Sequence, residues 1–202
     1  MRQLQNNYTG PAGVYAFDLL GYYPLIDGDS TDEQAMDNSS TLPRYTNGDG
    51  VQKVVVNHIA PAIQDGITVV NYTDHAGVSR TVTNRTMNQG QNLVCSGVGV
   101  GVTSVPGAVG VPLANGSRGV RRINSVQHTT APGGLHCIYL IKPLFNAALG
   151  DNNVAVEKEF VTKNGFNCPK ILDGAWISWF DRVGGASVRN VSWFGNFTFV
   201  WG

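Results

Sequence analysis

Ile67-Thr68-Val69-Val70-Asn71-Tyr72-Thr73-Asp74-His75-Ala76-Gly77-Val78-Ser79-Arg80-Thr81-Val82-Thr83 holds two β-rich runs around a turn. Ile67, Val69 and Asn71 alternate against Thr68, Val70 and Tyr72, the period of two that sends side chains to opposite faces of a strand. Asp74-His75-Ala76-Gly77 supplies turn chemistry, so residues 67–83 are expected to form a β-hairpin. The pattern repeats outward in both directions. Gln52 to Ile59, Asn92 to Ser96, Val120 to His128, Leu135 to Ile141, Val154 to Val161, Ala175 to Phe180 and Val188 to Trp201 are short β-rich runs. Glycine (25 residues) and proline (9) interrupt the chain too often for a sustained helical period. The best helical candidate, Lys142 to Leu149, is held to about two turns by Pro143 and Gly150. About eight to ten strands at this spacing predict an all-β fold, a β-sandwich or a jelly-roll-like domain, rather than βαβ units.

The chain has 202 residues, enough for one domain with a sizeable core. Residues 51–202 carry the β-rich pattern and are expected to form that domain. Residues 1–50 read as an N-terminal arm and loop. Asp18 to Ile26 is rich in Leu, Tyr and Ile, and the polar stretch Asp27 to Ser40 follows. Such an arm is suited to crossing a surface, either of a partner subunit or of its own domain. Fourteen basic residues balance fourteen acidic ones, and charged residues are 14% of the chain. An ordinary soluble domain has about 25%. Nucleic-acid binding through counterion release needs clustered cations, so this balance argues against it. No segment approaches the roughly 18 apolar residues of a membrane helix. Near-zero charge suits a protein packed in an assembly better than a free monomer.

Signals for chemistry are weak. Cys95, Cys137 and Cys168 are odd in number and widely spaced, and read as small buried hydrophobes. His58, His75, His128 and His136 lack metal-ligand spacing. The acidic stretch Asp27 to Glu33 fails as an EF-hand, since Asp32 stands where glycine is needed and Asn38 where glutamate is needed. Its Asp and Ser residues are expected to bond their own backbone. Gly97 to Val102 alternates glycine and valine, which leaves one strand face bare, and it lacks the third glycine of a dinucleotide fingerprint. Glu157 and Glu159 share a strand face and read as solvated, although a cell-wall hydrolase acting through Glu157 or Asp181 is a rival to consider. No cofactor is implied, and no enzyme is expected.

Arg118, Arg121 and Arg122 form the one dense basic cluster in the sequence, able to clamp a carboxylate on a neighbouring subunit or to guard a sheet edge. The last quarter is aromatic, with Phe197, Phe199 and Trp201 at period two. Such residues pack a core, anchor an interface or stack on sugars.

Asp18-Leu19-Leu20-Gly21-Tyr22-Tyr23-Pro24-Leu25-Ile26-Asp27 and Thr41-Leu42-Pro43-Arg44-Tyr45-Thr46-Asn47-Gly48-Asp49-Gly50-Val51-Gln52 resemble stretches of small virion structural proteins of tailed bacteriophages. Val111-Pro112-Leu113, Gly119-Val120-Arg121 and Leu140-Ile141-Lys142-Pro143-Leu144 follow in the order that the resemblance implies. Ser117-Arg118 departs from it where an acidic turn is expected, as does the very aromatic tail. The resemblance implies a capsid decoration or cement protein on the particle exterior. Its partners would be the major capsid protein and sister copies of itself, with a homotrimer suiting three-fold positions. Tyr22, Tyr23, Leu25 and Tyr45 would then bury themselves at the attachment surface. The alternative is a tail or spike component recognising host surface glycans through Trp176, Trp179 and Trp193. A self-assembling major shell subunit is a further rival, for which the chain is short.

Overall fold

The computed structural model describes residues 12–59, 68–84, 95–96, 111–149 and 170–182. Nine strands are found there: β1 (Ala12–Asp27), β2 (Gln34–Ala35), β3 (Gln52–Ile59), β4 (Thr68–Asp74), β5 (Ser79–Asn84), β6 (Cys95–Ser96), β7 (Val120–His128), β8 (Leu135–Leu149) and β9 (Ile177–Arg182). They form two sheets, one in the order β6-β3-β8-β1-β9 and the other β2-β7-β4-β5. Every pairing is antiparallel. The all-β expectation therefore holds among the described residues. Gly97 to Val102, Val154 to Val161, Cys168 and Val188 to Trp201 lie outside them, with Glu157, Glu159 and Trp193. Nothing is described of the side chains of His58, Trp179 and Asp181 either.

The expected hairpin is β4–β5, with Thr68 opposite Asn84 and Thr73 opposite Ser79. Val70, Tyr72 and Asp74 are fully buried, so the even-numbered positions supply the inner face. Asp74 closes the turn. Its carboxylate accepts from the Ala76 and Val78 amides, both at 2.9 Å, and pairs with Arg80 at 2.9 Å. Gly77 takes a φ of 81°, the left-handed conformation that glycine enters at least cost.

Side chains from both sheets meet in one apolar cluster. Leu20 and Ile26 of β1, Val55 of β3, and Ile138 and Leu140 of β8 come from the five-stranded sheet. Val70 and Tyr72 of β4 and Val120, Ile123 and Val126 of β7 come from the other. A second cluster, Phe17, Val54 and Ile141 with Leu19, Cys137 and Tyr139 against it, lies on alternate positions of the same first-sheet strands. Strands β1, β3 and β8 thus bury residues of both parities, which is why their sequences read as continuous apolar runs.

Two parts of the structure differ from the sequence reading. Ala12–Asp27, within the expected arm, is an interior strand hydrogen-bonded to β8 on one side and, over Gly13 to Asp18, to β9 on the other. The surface that this segment crosses is its own sheet. Lys142 to Leu149, the best helical candidate, belongs to β8 and pairs with the first half of β1. Pro143 is tolerated because the register shifts there, Phe17 facing Pro143 and Ala16 facing Phe145.

Candidate interaction surface

Strand β1 departs from regular pairing at Pro24 and Leu25, between the matched pairs Tyr23–Ile138 and Ile26–His136. A bulge re-aims side chains, and this one turns Leu25 outward. Leu25 has a φ of 61°, a conformation that costs a branched apolar residue about 1 kcal/mol or more, and it is 71% exposed. Tyr22 is 62% exposed, its ring edge-on to Tyr139 with centroids 6.3 Å apart. Trp176, 69% exposed, joins the same strand through its backbone. The Leu19 amide donates to the Trp176 carbonyl at 2.8 Å, and the Trp176 amide donates to Asp18 at 2.9 Å.

Asp18 fixes this arrangement. Its carboxylate is fully buried and receives both arms of the Arg44 guanidinium, Nε at 2.7 Å and Nη2 at 2.6 Å. Arg44 Nη2 also donates to the Leu19 carbonyl at 3.1 Å. One carboxylate therefore joins β1, the loop around Arg44 and the approach to β9. Planar, bidentate recognition is what arginine supplies and lysine does not.

The expected interface residues divide. Tyr22 and Leu25 face solvent, whereas Tyr23 and Tyr45 are held at home. The Tyr23 hydroxyl donates to Asn38 at 2.9 Å and accepts from the Ile123 amide at 3.2 Å. Burial raises its pKa above the usual phenol value. Tyr45, at φ 51°, packs against the apolar cluster with the Lys142 ammonium 5.1 Å from its ring centre.

The arginines divide as well. Arg118, 71% exposed, pairs with Asp49 of its own chain at 3.2 Å. Arg121 donates to the Asn47 carbonyl at 3.1 Å and the His75 carbonyl at 3.0 Å, tying two loops together. Arg122 turns to Thr73 at 3.3 Å on the solvent side of the sheet. Register shifts at Arg121 and Asn124 explain why adjacent arginines are both exposed and why Val120, Ile123 and Val126 are buried three apart.

The acidic stretch folds onto itself. Asp27 accepts from the Asp29 amide at 2.9 Å, Ser30 from the Asp32 amide at 3.1 Å, and Glu33 contacts Ser125 and Asn71. Among the described residues no group of three or more His, Cys, Asp or Glu is placed to hold a metal ion.

Three buried groups carry chemistry that spacing did not reveal. Asp18 is one. Lys53 is fully buried, with its ammonium 4.1 Å from the Tyr72 ring centre and donating to the Pro112 carbonyl at 2.8 Å. Desolvation pulls its pKa down to about 7. His128 and His136 are the third feature, fully buried and edge-on with centroids 5.4 Å apart. No periodicity marks residues that meet across two different sheets.

Compared with family models, with curated proteins and with solved structures, the chain matches none.

Proposed function

We propose that this chain is a structural component of a tailed-phage particle, a capsid decoration or cement protein on the shell exterior. On this reading the two sheets stack as a β-sandwich or jelly-roll-like domain that touches the major capsid protein and sister copies of itself, the copies forming a homotrimer. The protein acts by crosslinking the lattice, with no bond made or broken.

The observation that carries the reading is the outward exposure of Tyr22 and Leu25 on a strand that also buries Phe17, Leu20 and Ile26. A bulge and a left-handed backbone hold Leu25 in water, and such an outlier is a recognised mark of functional strain. Covering these side chains would be worth a few kcal/mol per copy at about 25 cal/mol per Å² of apolar surface, before ordering costs. Repetition over a lattice makes modest affinity sufficient. The phage-like stretches from Asp18 to Asp27 and from Thr41 to Gln52 support the same reading, and they include Arg44, the partner of Asp18.

Exposure of Trp176 favours a second reading, a tail or spike component that recognises host glycans by stacking. The test compares intact particles with particles lacking the chain, under heat or low ionic strength, with purified protein added back. Early genome release rescued by added protein supports the cement role. Robust particles that fail to adsorb to cells support the glycan reading, and robust particles that adsorb normally overturn both.

A further inference from the structure

His128 ends β7 in one sheet and His136 is the second residue of β8 in the other, so the pair joins the two sheets. Residues 129–134 connect them. That connection is clasped to the turn after β1: the Gly28 amide donates to the Gly134 carbonyl at 3.0 Å, and the Gly133 amide to the Gly28 carbonyl at 2.9 Å. Packing there is tight, since a Cβ at Gly28 would run into the Gly133 carbonyl and the His136 ring. His136 Nε2 lies 3.1 Å from the Gly133 carbonyl oxygen. Outward movement of the His136 ring therefore pushes on the clasp, and the His128 ring stands edge-on against it.

We propose that the His128–His136 pair is an acid-sensitive latch, whose protonation opens the clasp between residues 129–134 and Gly28 while the rest of the two sheets stays paired. Two imidazolium ions at this separation repel, and a single one is stranded away from water. Burial and the facing His136 push His128 down to about 4, and burial also lowers His136. Asp27, at the end of β1, is the carboxylate among the described residues whose field reaches both rings, and it opposes these shifts.

The sign follows. A histidine with a depressed folded pKa binds more protons unfolded than folded between the two values, so it destabilises as pH falls from about 6.5 through about 4. Because the pair borders the clasp, that loss is local. The latch does not depend on a role in a phage particle.

The experiment follows the full chain by NMR from pH 7.5 to 3.5, reading both imidazole titrations together with amide exchange corrected for intrinsic rates. Expected are a His128 ring neutral down to about pH 5 and a His136 ring that protonates below the ordinary imidazole range, with Gly28, Gly133 and Gly134 losing at least tenfold protection as the first ring protonates and β4–β5 unchanged. Titration of either ring near 6.5 with the clasp intact overturns the proposal, as does simultaneous loss of protection in every strand. Asp27→Asn, on an exposed side chain, keeps the oxygen that the Asp29 amide needs and removes the charge favouring protonation. It is expected to move the opening to lower pH, as is His128→Leu. Opening that stays in place in Asp27→Asn assigns it to other groups and overturns the latch, whether or not His128→Leu folds.

Discussion

Asp18 and Lys53 place ionisable side chains where water does not reach, and the two are stabilised differently. Asp18 has a bidentate arginine and an amide. Removing one partner of such a buried pair strands the other charge, so Asp18→Ala is expected to lower stability by about 3 kcal/mol. Urea unfolding checks this, read as a lower midpoint at unchanged slope. Among the described residues, the Lys53 ammonium meets the Val111 and Pro112 carbonyls and the Tyr72 ring. Its folded pKa of about 7 lies below the ordinary lysine value, so the unfolded chain binds the extra proton between about pH 7 and 10.5. Stability contributed at this site therefore rises with pH across that window and is lowest below pH 7. Lys53→Met should remove the slope and stabilise the protein at pH 6, by roughly 1–4 kcal/mol. Equal pH profiles for wild type and Lys53→Met would show that Lys53 is solvated.

Strand and turn chemistry explain which elements the sequence made visible. Residues 67–83 were legible because alternation, β-branched residues and an Asp-to-Gly turn agree with one another. Asp74→Ala leaves the Ala76 and Val78 amides and Arg80 without their acceptor, and is expected to cost about 2 kcal/mol in thermal or urea unfolding. β1 was legible as apolar but not as an interior strand. Its Leu19-Leu20, Tyr22-Tyr23 and Leu25-Ile26 doublets break the period of two, because three register shifts and burial of both parities erase alternation. β8 was obscured beyond Ile141 by Pro143 and by alanines, and pairing with β1 overrides that local preference. Of the site, the exposed Tyr22 and Leu25 could be proposed from composition, but their separation from Tyr23 and Tyr45 depends on the bulge at Pro24 and Leu25. At that bulge, Leu25→Gly relieves a left-handed backbone while giving up little buried surface. We expect a gain of about 0.5–1 kcal/mol in unfolding free energy.

At the scale of the molecule, attachment and folding should be separable. Tyr22→Ser with Leu25→Ser removes exposed apolar surface, so unfolding free energy is expected to stay within about 1 kcal/mol of wild type. If the proposed cement role is right, the same double variant should bind depleted particles at least tenfold more weakly, measured by co-sedimentation. Binding equal to wild type would exclude this surface as the attachment site.

The position of β1 between β8 and β9 has a consequence for biosynthesis. Its pairing partners begin about a hundred residues downstream, at Leu135 opposite Asp27. A strand apolar on both faces must therefore leave the ribosome and wait, unpaired, until most of the chain has followed. Long-range pairing of this kind is slow and leaves sticky intermediates exposed. A growing chain that stalls before β8 is made should engage chaperones or aggregate, whereas one that stalls after β9 should already be protected.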